Sequence, residues 1–225
     1  MLLCYVTDRT QLAPDESRRR GLLLERIAAA ARAGVDYIQL REKDLTSREL
    51  ETLARQAVRA VRDHSAATWL LVNARPDVAL AAGADGVHLP ATDISAPAAR
   101  SIFASAGKRA AVVAVSCHSL EEVVRAEHAG ADFALFGPVF EKAGRATDGL
   151  ALLEKSCRRS AARSPAMPVL AIGGVTLQNA ARCLAAGAAG IAAIRLFQEG
   201  NPGETVRQLR EMTATQAAAE GGRTI

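Results

Sequence analysis

Aromatic residues are scarce in this chain: one Trp, two Tyr and five Phe make up 4% of 225 residues. Proteins that bind single-stranded nucleic acid stack bases on aromatic side chains, so this scarcity argues against nucleic acid as a partner. The formal net charge of +4 and the pI near 9.1 do not reverse that expectation, because the basic residues are mixed with Glu and Asp on predicted helix faces. A small anionic substrate explains the positive charge equally well.

Long apolar runs and paired cysteines are also missing. No apolar run is long enough to cross a bilayer, and the N-terminus lacks the arrangement of a signal peptide. The cysteines, Cys4, Cys117, Cys157 and Cys183, form no CxxC pair. We therefore expect a soluble cytoplasmic protein with buried free thiols and no membrane association. Whether it forms a homo-oligomer is left open by the sequence.

A tetrad of the form Ala-Gly-x-Asp recurs along the chain. It occupies 33–36, 82–85 and 129–132, and it returns as Ala-Gly-Ala-Ala at 186–189. The steps between its glycines are 49, 47 and 57 residues, which suits two strand-helix units rather than one. Each tetrad follows an Ala-rich amphipathic stretch, and its Gly suits the left-handed conformation that ends a helix. Four such steps predict eight strand-helix units.

Short apolar runs and helical patterns alternate in agreement with that count. Most of the runs are almost continuously hydrophobic, as expected of parallel strands covered on both faces. The predicted strands are Leu2–Thr7, Val35–Leu40, Trp69–Val72, Gly86–Leu89, Ala111–Ser116, Asp132–Phe136, Pro168–Ile172 and Gly190–Ile194. The predicted helices are Arg18–Arg32, Ser47–His64, Asp77–Ala82, Ala96–Ala106, Leu120–Ala129, Gly149–Ala162, Thr176–Ala186 and Gly203–Ala218. We predict an α/β fold, one (β/α)8 TIM barrel over 1–218, with a frayed tail at 219–225.

Polar residues follow several of these strands, at the barrel end where active sites of this fold lie. Gln39, Arg41 and Lys43 alternate at the end of strand two, so the two-residue period places an amide and two cations on one face. That face must open at the barrel mouth if the charges are to avoid uncompensated burial. The alternative is a solvated strand end with an Arg41–Glu42 surface pair.

The ends of strands three to six add further candidates. Asn73 follows strand three, and His88 ends strand four with Asp93 five residues later. Ser116 and His118 follow strand five. Each has a structural alternative: His88 as a hydrogen-bonded barrel histidine, Asp93 as a turn residue, and His118 beside the helix that opens with a capping-box pattern at Ser119. The loop after strand six, 141–149, is polar and long enough to act as a lid, and it contains Lys142 and Arg145.

Strand seven ends in Gly173-Gly174, and a helix is predicted to begin shortly afterwards at Thr176. Backbone N–H groups of consecutive glycines can approach a phosphate, and TIM barrels often bind phosphate between the loops after strands seven and eight. Arg195 at the end of strand eight could hold the same phosphate with two hydrogen bonds. These residues predict a phosphorylated substrate, with a tight turn and a solvated Arg as the alternative.

Seven motifs in order resemble those of thiamine-phosphate synthase and its TenI-like relatives, from about residue 3 to residue 200. They are Tyr5-Val6-Thr7-Asp8-Arg9, Gln39-Leu40-Arg41-Glu42-Lys43-Asp44, Leu71-Val72-Asn73, Ala84-Asp85-Gly86-Val87-His88-Leu89, Val115-Ser116-Cys117-His118, Phe136-Gly137-Pro138-Val139-Phe140 and Ala171-Ile172-Gly173-Gly174. The resemblance implies that a hydroxymethylpyrimidine diphosphate loses pyrophosphate with the help of Mg²⁺, and that a thiazole phosphate captures the pyrimidine-methyl cation.

The resemblance also implies roles for the candidate residues. Gln39, Arg41 and Lys43 match the diphosphate side, where cations would stabilise the departing pyrophosphate, and Asn73 matches the pyrimidine contact. His88 and Ser116 match positions that line the mouth. Gly173-Gly174 matches the binding site of the thiazole phosphate.

The chain departs from the synthase pattern at the metal site and the lid. Where the synthase has Asn-Asp after strand three, with the Asp as a magnesium ligand, this chain has Asn73-Ala74. Asp93 retains the position of the second ligand, and one carboxylate with substrate oxygens and waters can suffice for Mg²⁺. The Thr-x-Thr-Lys pattern of the lid is replaced by 142–145, and a serine of strand eight by Arg195.

Two other functions compete with the synthase. A TenI-like thiazole tautomerase needs a base, and Pro138 stands where that branch has a histidine, so His118 or His88 would have to take its place. A ligand-binding regulator without turnover would also explain the lost metal ligand. Outside the family, a phosphate-binding isomerase or epimerase would use the strand-seven and strand-eight site but would not require the Gln39, Arg41 and Lys43 pattern.

Overall fold

The computed structural model describes residues 1–140 and 148–221, with side chains to residue 213. Eight parallel strands close into a barrel in sequence order, β1 to β8, and β8 pairs with β1. The strands are β1 Leu2–Val6, β2 Tyr37–Leu40, β3 Trp69–Asn73, β4 Gly86–Leu89, β5 Val112–Cys117, β6 Phe133–Phe136, β7 Val169–Ala171 and β8 Gly190–Ala193. The predicted TIM barrel is confirmed, and every predicted strand is present.

Helices follow the strands around the outside of the barrel. They are α1 Glu16–Arg32, α2 Ser47–Arg62, α3 Pro76–Ala82, α4 Ala96–Ser105, α5 Leu120–His128, α6 Gly149–Ala161, α7 Ala180–Ala185, α8 Arg195–Gln198 and α9 Pro202–Gly221. The sequence reading missed α8 and a 3-10 turn at Arg9–Gln11, because neither is long enough to produce a helical period. The last helix extends to Gly221, and the rest of the predicted tail lies outside the described residues. Within the described residues, none of the helices is long and apolar enough to span a bilayer.

Two apolar clusters hold the fold together. The larger one lies between strands and helices, whereas the smaller one contains only strand residues and fills the barrel interior. Its buried members are Cys4, Val6, Leu71, Val112, Ala114, Phe133, Leu135, Leu170 and Ala192. They alternate along each strand, so the inward-facing positions are fixed by the two-residue period. All four cysteines are free and buried, as predicted.

The repeated tetrad has a structural role at the N-terminal end of the barrel. Its four glycines are left-handed, with φ between 69° and 89°, as predicted for helix ends. Its aspartates do more than the sequence indicated, because each accepts the N–H of the first part of the preceding strand. Asp36 binds Leu3 N at 2.7 Å, Asp85 binds Leu70 N at 2.8 Å, and Asp132 binds Val113 N at 2.6 Å. Three strand pairs are therefore joined by carboxylates where the regular ladder begins.

The fourth tetrad has Ala189 in place of Asp, so the N–H of Val169 has no carboxylate to accept it, although Ala189 N still binds Val169 O at 2.8 Å. Ala189→Asp is expected to raise the free energy of unfolding by about 1 kcal/mol, since a charged acceptor would pair with a strand N–H. Asp85→Ala, the matched deletion, should lower it by about 1 to 2 kcal/mol. Urea unfolding measures both. If Ala189→Asp has no effect while Asp85→Ala destabilises, the fourth tetrad does not share the geometry of the others.

Candidate active site

Four polar side chains form two hydrogen-bonded pairs in the barrel interior, between the smaller apolar cluster and the C-terminal end of the barrel. Gln39 Nε2 donates to Asn73 Oδ1 at 2.8 Å, and His88 Nε2 lies 2.8 Å from Ser116 Oγ. Gln39, Asn73 and Ser116 lie two positions beyond Tyr37, Leu71 and Ala114 of the interior cluster, which places them on the inner wall. His88 pairs in register with Asn73 and Ala114 on the neighbouring strands. Both pairs join residues predicted from the sequence as site candidates. We call these four residues the polar floor of the barrel mouth.

The polar floor leaves hydrogen-bonding capacity unused. Gln39 Oε1 and His88 Nδ1 are buried and have no partner among the described residues. Buried polar atoms of native proteins are usually hydrogen-bonded. Two buried atoms without a partner at the C-terminal end of the barrel, where active sites of this fold lie, therefore point to a ligand. An acceptor on Gln39 and a donor on the adjacent Asn73 amide would together suit a ring that carries an amino group beside a nitrogen acceptor.

His88 is the hydrogen-bonded barrel histidine that the structural alternative described, and its environment keeps it neutral. Burial, followed by the positive charge of Arg41, lowers its pKa from 6.5 to about 3. A neutral imidazole can donate through one nitrogen and accept through the other. His88 therefore contributes hydrogen bonds to the floor without adding positive charge.

Arg41 follows β2 directly and is partly exposed at the mouth, two residues beyond Gln39. Lys43 lies in the turn after the strand and is exposed. The alternative of an Arg41–Glu42 surface pair is wrong: Glu42 is buried and pairs with Arg9 at 3.2 Å instead. Arg9 had no role predicted from the sequence; it is buried at the start of the 3-10 turn and bonds to Glu42 and Asp44 in the loop after β2.

The loop after β7 contains the two glycines predicted to approach a phosphate, but the helix that follows begins later than predicted. Gly173 and Gly174 have φ of 96° and 68°, and Cβ at Gly173 would lie 2.6 Å from the backbone of Pro138. Among the described residues, no partner accepts the N–H of either glycine. The predicted helix start at Thr176 is wrong, because a separate turn precedes α7, which begins at Ala180. In this turn Asn179 N and Ala180 N donate to Thr176 O, and the Asn179 side chain binds Thr176 N and Gly174 O.

The other predicted residues take separate places around the mouth. Arg195 begins α8 and is exposed, with no ion pair to a described residue. Asp93 is exposed and accepts Ile94 N at 2.7 Å, which is the turn role given as its alternative. Within the described residues no three His, Cys, Asp or Glu side chains gather to hold a metal. Lys142 and Arg145 lie outside the described residues.

His118 at the end of β5 also contacts the mouth. Its Nδ1 lies 2.5 Å from the carbonyl oxygen of Gly137, the residue before the cis peptide bond to Pro138. The capping pattern is present with a shift: Ser119 Oγ accepts Glu122 N, but Glu122 Oε2 binds His118 N rather than the N–H of Ser119. Since a carbonyl only accepts, His118 Nδ1 is the donor in this bond, and the Nε2 of a neutral ring is then an acceptor that no described residue occupies.

Gln198 was also missed by the sequence analysis. It is buried in α8, where its Oε1 accepts Tyr5 Oη at 3.1 Å and Asp8 N at 2.8 Å, while its Nε2 donates to Asp8 O at 3.1 Å. These bonds hold the end of β1 against the segment that follows β8. No periodic signal could have found it, because α8 has only four residues.

The neutral state of His88 makes a testable contribution to stability. In the unfolded chain this histidine takes up a proton near pH 6.5, whereas the folded protein keeps it neutral down to about pH 3. The unfolded state binds the additional proton, so the free energy of unfolding should fall as pH drops from 6.5 toward 3, by at most about 1.4 kcal/mol per pH unit from this group. His88→Gln, which can still bond Ser116, should flatten that slope in urea unfolding. Equal slopes in both proteins would contradict the assignment.

Comparison with known proteins shows which family this chain matches. Residues 3–197 match the family model described as thiamine monophosphate synthase. The chain is 37% identical over 221 residues to the thiamine-phosphate synthase of Chlorobium luteolum, covering 98% of this chain and 96% of that one. It is 39% identical over 182 residues to the thiamine-phosphate synthase of Methanocella arvoryzae, covering 80% and 82%. A solved thiamine phosphate pyrophosphorylase from Pyrococcus furiosus superposes with a TM-score of 0.76 at 31% identity, over 95% and 96% of the two chains.

Proposed function

The chain belongs to the thiamine monophosphate synthase family, and we propose that it joins hydroxymethylpyrimidine diphosphate to a thiazole phosphate with release of pyrophosphate. The observation that carries the proposal is the buried Gln39 Oε1, which has no partner among the described residues. Gln39 lies two residues before Arg41, and its Nε2 donates to Asn73 Oδ1. An aminopyrimidine offers the donor and acceptor that this amide pair lacks, and its diphosphate would then lie toward the cations at the mouth.

The reaction needs charge stabilisation rather than a protein nucleophile. The bond between the pyrimidine methylene carbon and the diphosphate oxygen breaks, and its electron pair leaves with pyrophosphate. Arg41 and Lys43 would stabilise the growing negative charge on the leaving group. The thiazole nitrogen then donates its lone pair to the methylene carbon and forms the new C–N bond. Because His88 stays neutral, the floor adds no repulsion against the cationic pyrimidine.

The second substrate would bind through its phosphate at Gly173-Gly174. Both glycines are left-handed and have N–H groups that bind no described residue, so the backbone can supply donors to a phosphate at close range. Arg195 begins α8 and could approach the same phosphate from the end of β8. The two phosphate groups would then occupy different loops, with the polar floor between strands β2 and β5 below them.

Mg²⁺ fits this site only with oxygens from the substrate. Asp93 is exposed and its Oδ2 has no partner among the described residues, so one carboxylate can be offered. Mg²⁺ commonly binds one or two carboxylates together with substrate phosphates and waters. When bound, the ion would neutralise part of the diphosphate charge.

Ala74 marks the missing second carboxylate. Its φ of 59° lies in the left-handed region, which Asp and Asn adopt more readily than Ala. Ala74→Asp should therefore lower the Mg²⁺ concentration for half-maximal pyrophosphate release on the order of tenfold, because it adds a ligand charge. Ala74→Asn is the matched control, since it shares the backbone preference without the charge and should leave the Mg²⁺ requirement unchanged. Equal effects of both variants would show that the backbone, not the carboxylate, is responsible.

Arg41→Ala provides the direct test of the proposed reaction. We expect pyrophosphate release to fall by about two orders of magnitude or more, because a charged donor to the leaving group is lost. Production of thiamine phosphate should fall in parallel, as measured with purified protein, Mg²⁺ and both substrates. If the wild-type protein binds both substrates and releases no pyrophosphate, it is a ligand-binding regulator and the proposal is wrong.

One observation favours thiazole isomerisation as the second candidate function. Pro138 occupies the position of the tautomerase histidine, but His118 is hydrogen-bonded to the adjacent Gly137 with a tautomer that leaves Nε2 available. Under this alternative, His118→Gln abolishes interconversion of the carboxylated thiazole tautomers, while Arg41→Ala leaves it nearly intact. Under the synthase proposal, His118→Gln retains most of the pyrophosphate release and only Arg41→Ala removes it.

A further inference from the structure

Glu42 is buried directly behind Arg41, although carboxylates are seldom buried. Its side chain is 1% exposed. It accepts hydrogen bonds from Thr7 Oγ1 at 2.5 Å, Arg9 N at 3.0 Å and Arg9 Nη1 at 3.2 Å. Every one of these donors belongs to the segment after β1, so the carboxylate joins β1 to the loop that follows β2.

Thr7 connects this carboxylate to Arg41. Its hydroxyl has one proton, which goes to Glu42, and the oxygen accepts Arg41 N at 2.9 Å. Thr7 N also donates to Gln39 O at 2.9 Å. The threonine therefore extends the pairing of β1 and β2 by one residue through its side chain. Because a carboxylate can only accept, Glu42 fixes the direction of the hydroxyl and keeps its lone pair on Arg41 N–H.

Arg9 fixes the other side of the same loop. It is 2% exposed, and it donates to both oxygens of Asp44 at 2.7 and 2.9 Å as well as to Glu42. Glu42 and Asp44 alternate with Arg41 and Lys43 in the sequence. Arg9 thus binds both acidic residues of this stretch with one guanidinium, which holds the backbone on either side of Lys43 and directly after Arg41. Glu16 binds Arg9 Nε at 2.9 Å from the outside of this network.

We propose that Glu42 is a positioning residue, which acts through Thr7 and Arg9 to aim Arg41 and Lys43 at the pyrophosphate group of the substrate. The inference rests on the proposed function, since it specifies how that site holds its leaving group. A buried charge network is a weak source of stability, because desolvation offsets much of the attraction between its members. Its effect on catalysis would come through the placement of Arg41 and Lys43, since a small displacement of a group that stabilises a leaving group lowers the reaction rate steeply.

The test measures the dissociation constant of inorganic pyrophosphate for purified variants by calorimetry, with thermal unfolding of each variant recorded alongside. Glu42→Gln keeps the size of the side chain but removes its charge, and we expect pyrophosphate to bind about tenfold more weakly, equal to about 1.4 kcal/mol. Thr7→Val, which removes the link without touching a charge, should give a similar loss. Thr7→Ser retains the hydroxyl and should restore wild-type binding.

Glu16→Gln is the matched control, because it breaks an ion pair of Arg9 that does not include the loop of Arg41. It should leave pyrophosphate binding within about twofold of wild type, whatever its effect on thermal unfolding. Affinity for the thiazole phosphate should be unchanged in all of these variants, since that ligand binds at other loops. If Glu42 only stabilised the fold, its substitution would instead weaken the binding of pyrophosphate and of the thiazole phosphate together.

Two outcomes separate the failure of this proposal from that of the proposed function. If wild-type protein binds pyrophosphate and Arg41→Ala does not, but Glu42→Gln and Thr7→Val bind it within twofold of wild type, Glu42 does not position the cations. If wild-type protein itself does not bind pyrophosphate, the proposed function fails and the positioning role fails with it.

Discussion

The interior of a closed eight-stranded barrel is just wide enough to be filled by side chains, so a polar group that faces it must find its partner on another strand or on a ligand. This constraint explains the arrangement at the mouth. Gln39 reaches Asn73 across β2 and β3, and His88 reaches Ser116 across β4 and β5. Each pair still leaves one buried atom without a partner among the described residues. The site is thus incomplete in hydrogen bonds, and a polar heterocycle can complete it.

Carboxylates have different roles at the two ends of the barrel. At the N-terminal end the tetrad aspartates accept hydrogen bonds from strand N–H groups, which contributes to stability. At the C-terminal end the carboxylate of Glu42 accepts hydrogen bonds from Thr7 and Arg9, and Thr7 in turn accepts the backbone N–H of Arg41. Under the positioning role proposed for it, the single buried carboxylate of Glu42 would fix the positive charge at the mouth before a phosphate arrives.

The sequence predicted the fold well because hydrophobic period and glycine position are local signals. All eight strands and the four left-handed tetrad glycines were found from such signals. It also predicted the inward-facing members of the polar floor, since Gln39 and Asn73 lie at strand ends. The partners of Arg9 and Glu42 could not be predicted, because they are 33 positions apart and meet only when β1 and β2 pair. The start of α7 was misplaced for a local reason: a turn at 176–179, bound by the Asn179 side chain, precedes the helix and has no periodic signal of its own.

A structure of the protein with both products, pyrophosphate and thiamine phosphate, tests the account most directly. It should place pyrophosphate against Arg41 and Lys43, the aminopyrimidine on Gln39 Oε1 and Asn73, and the phosphate of the thiazole part on the N–H groups of Gly173 and Gly174. If pyrophosphate instead binds at the glycines, or the pyrimidine does not contact Gln39, the arrangement of the site described above is contradicted.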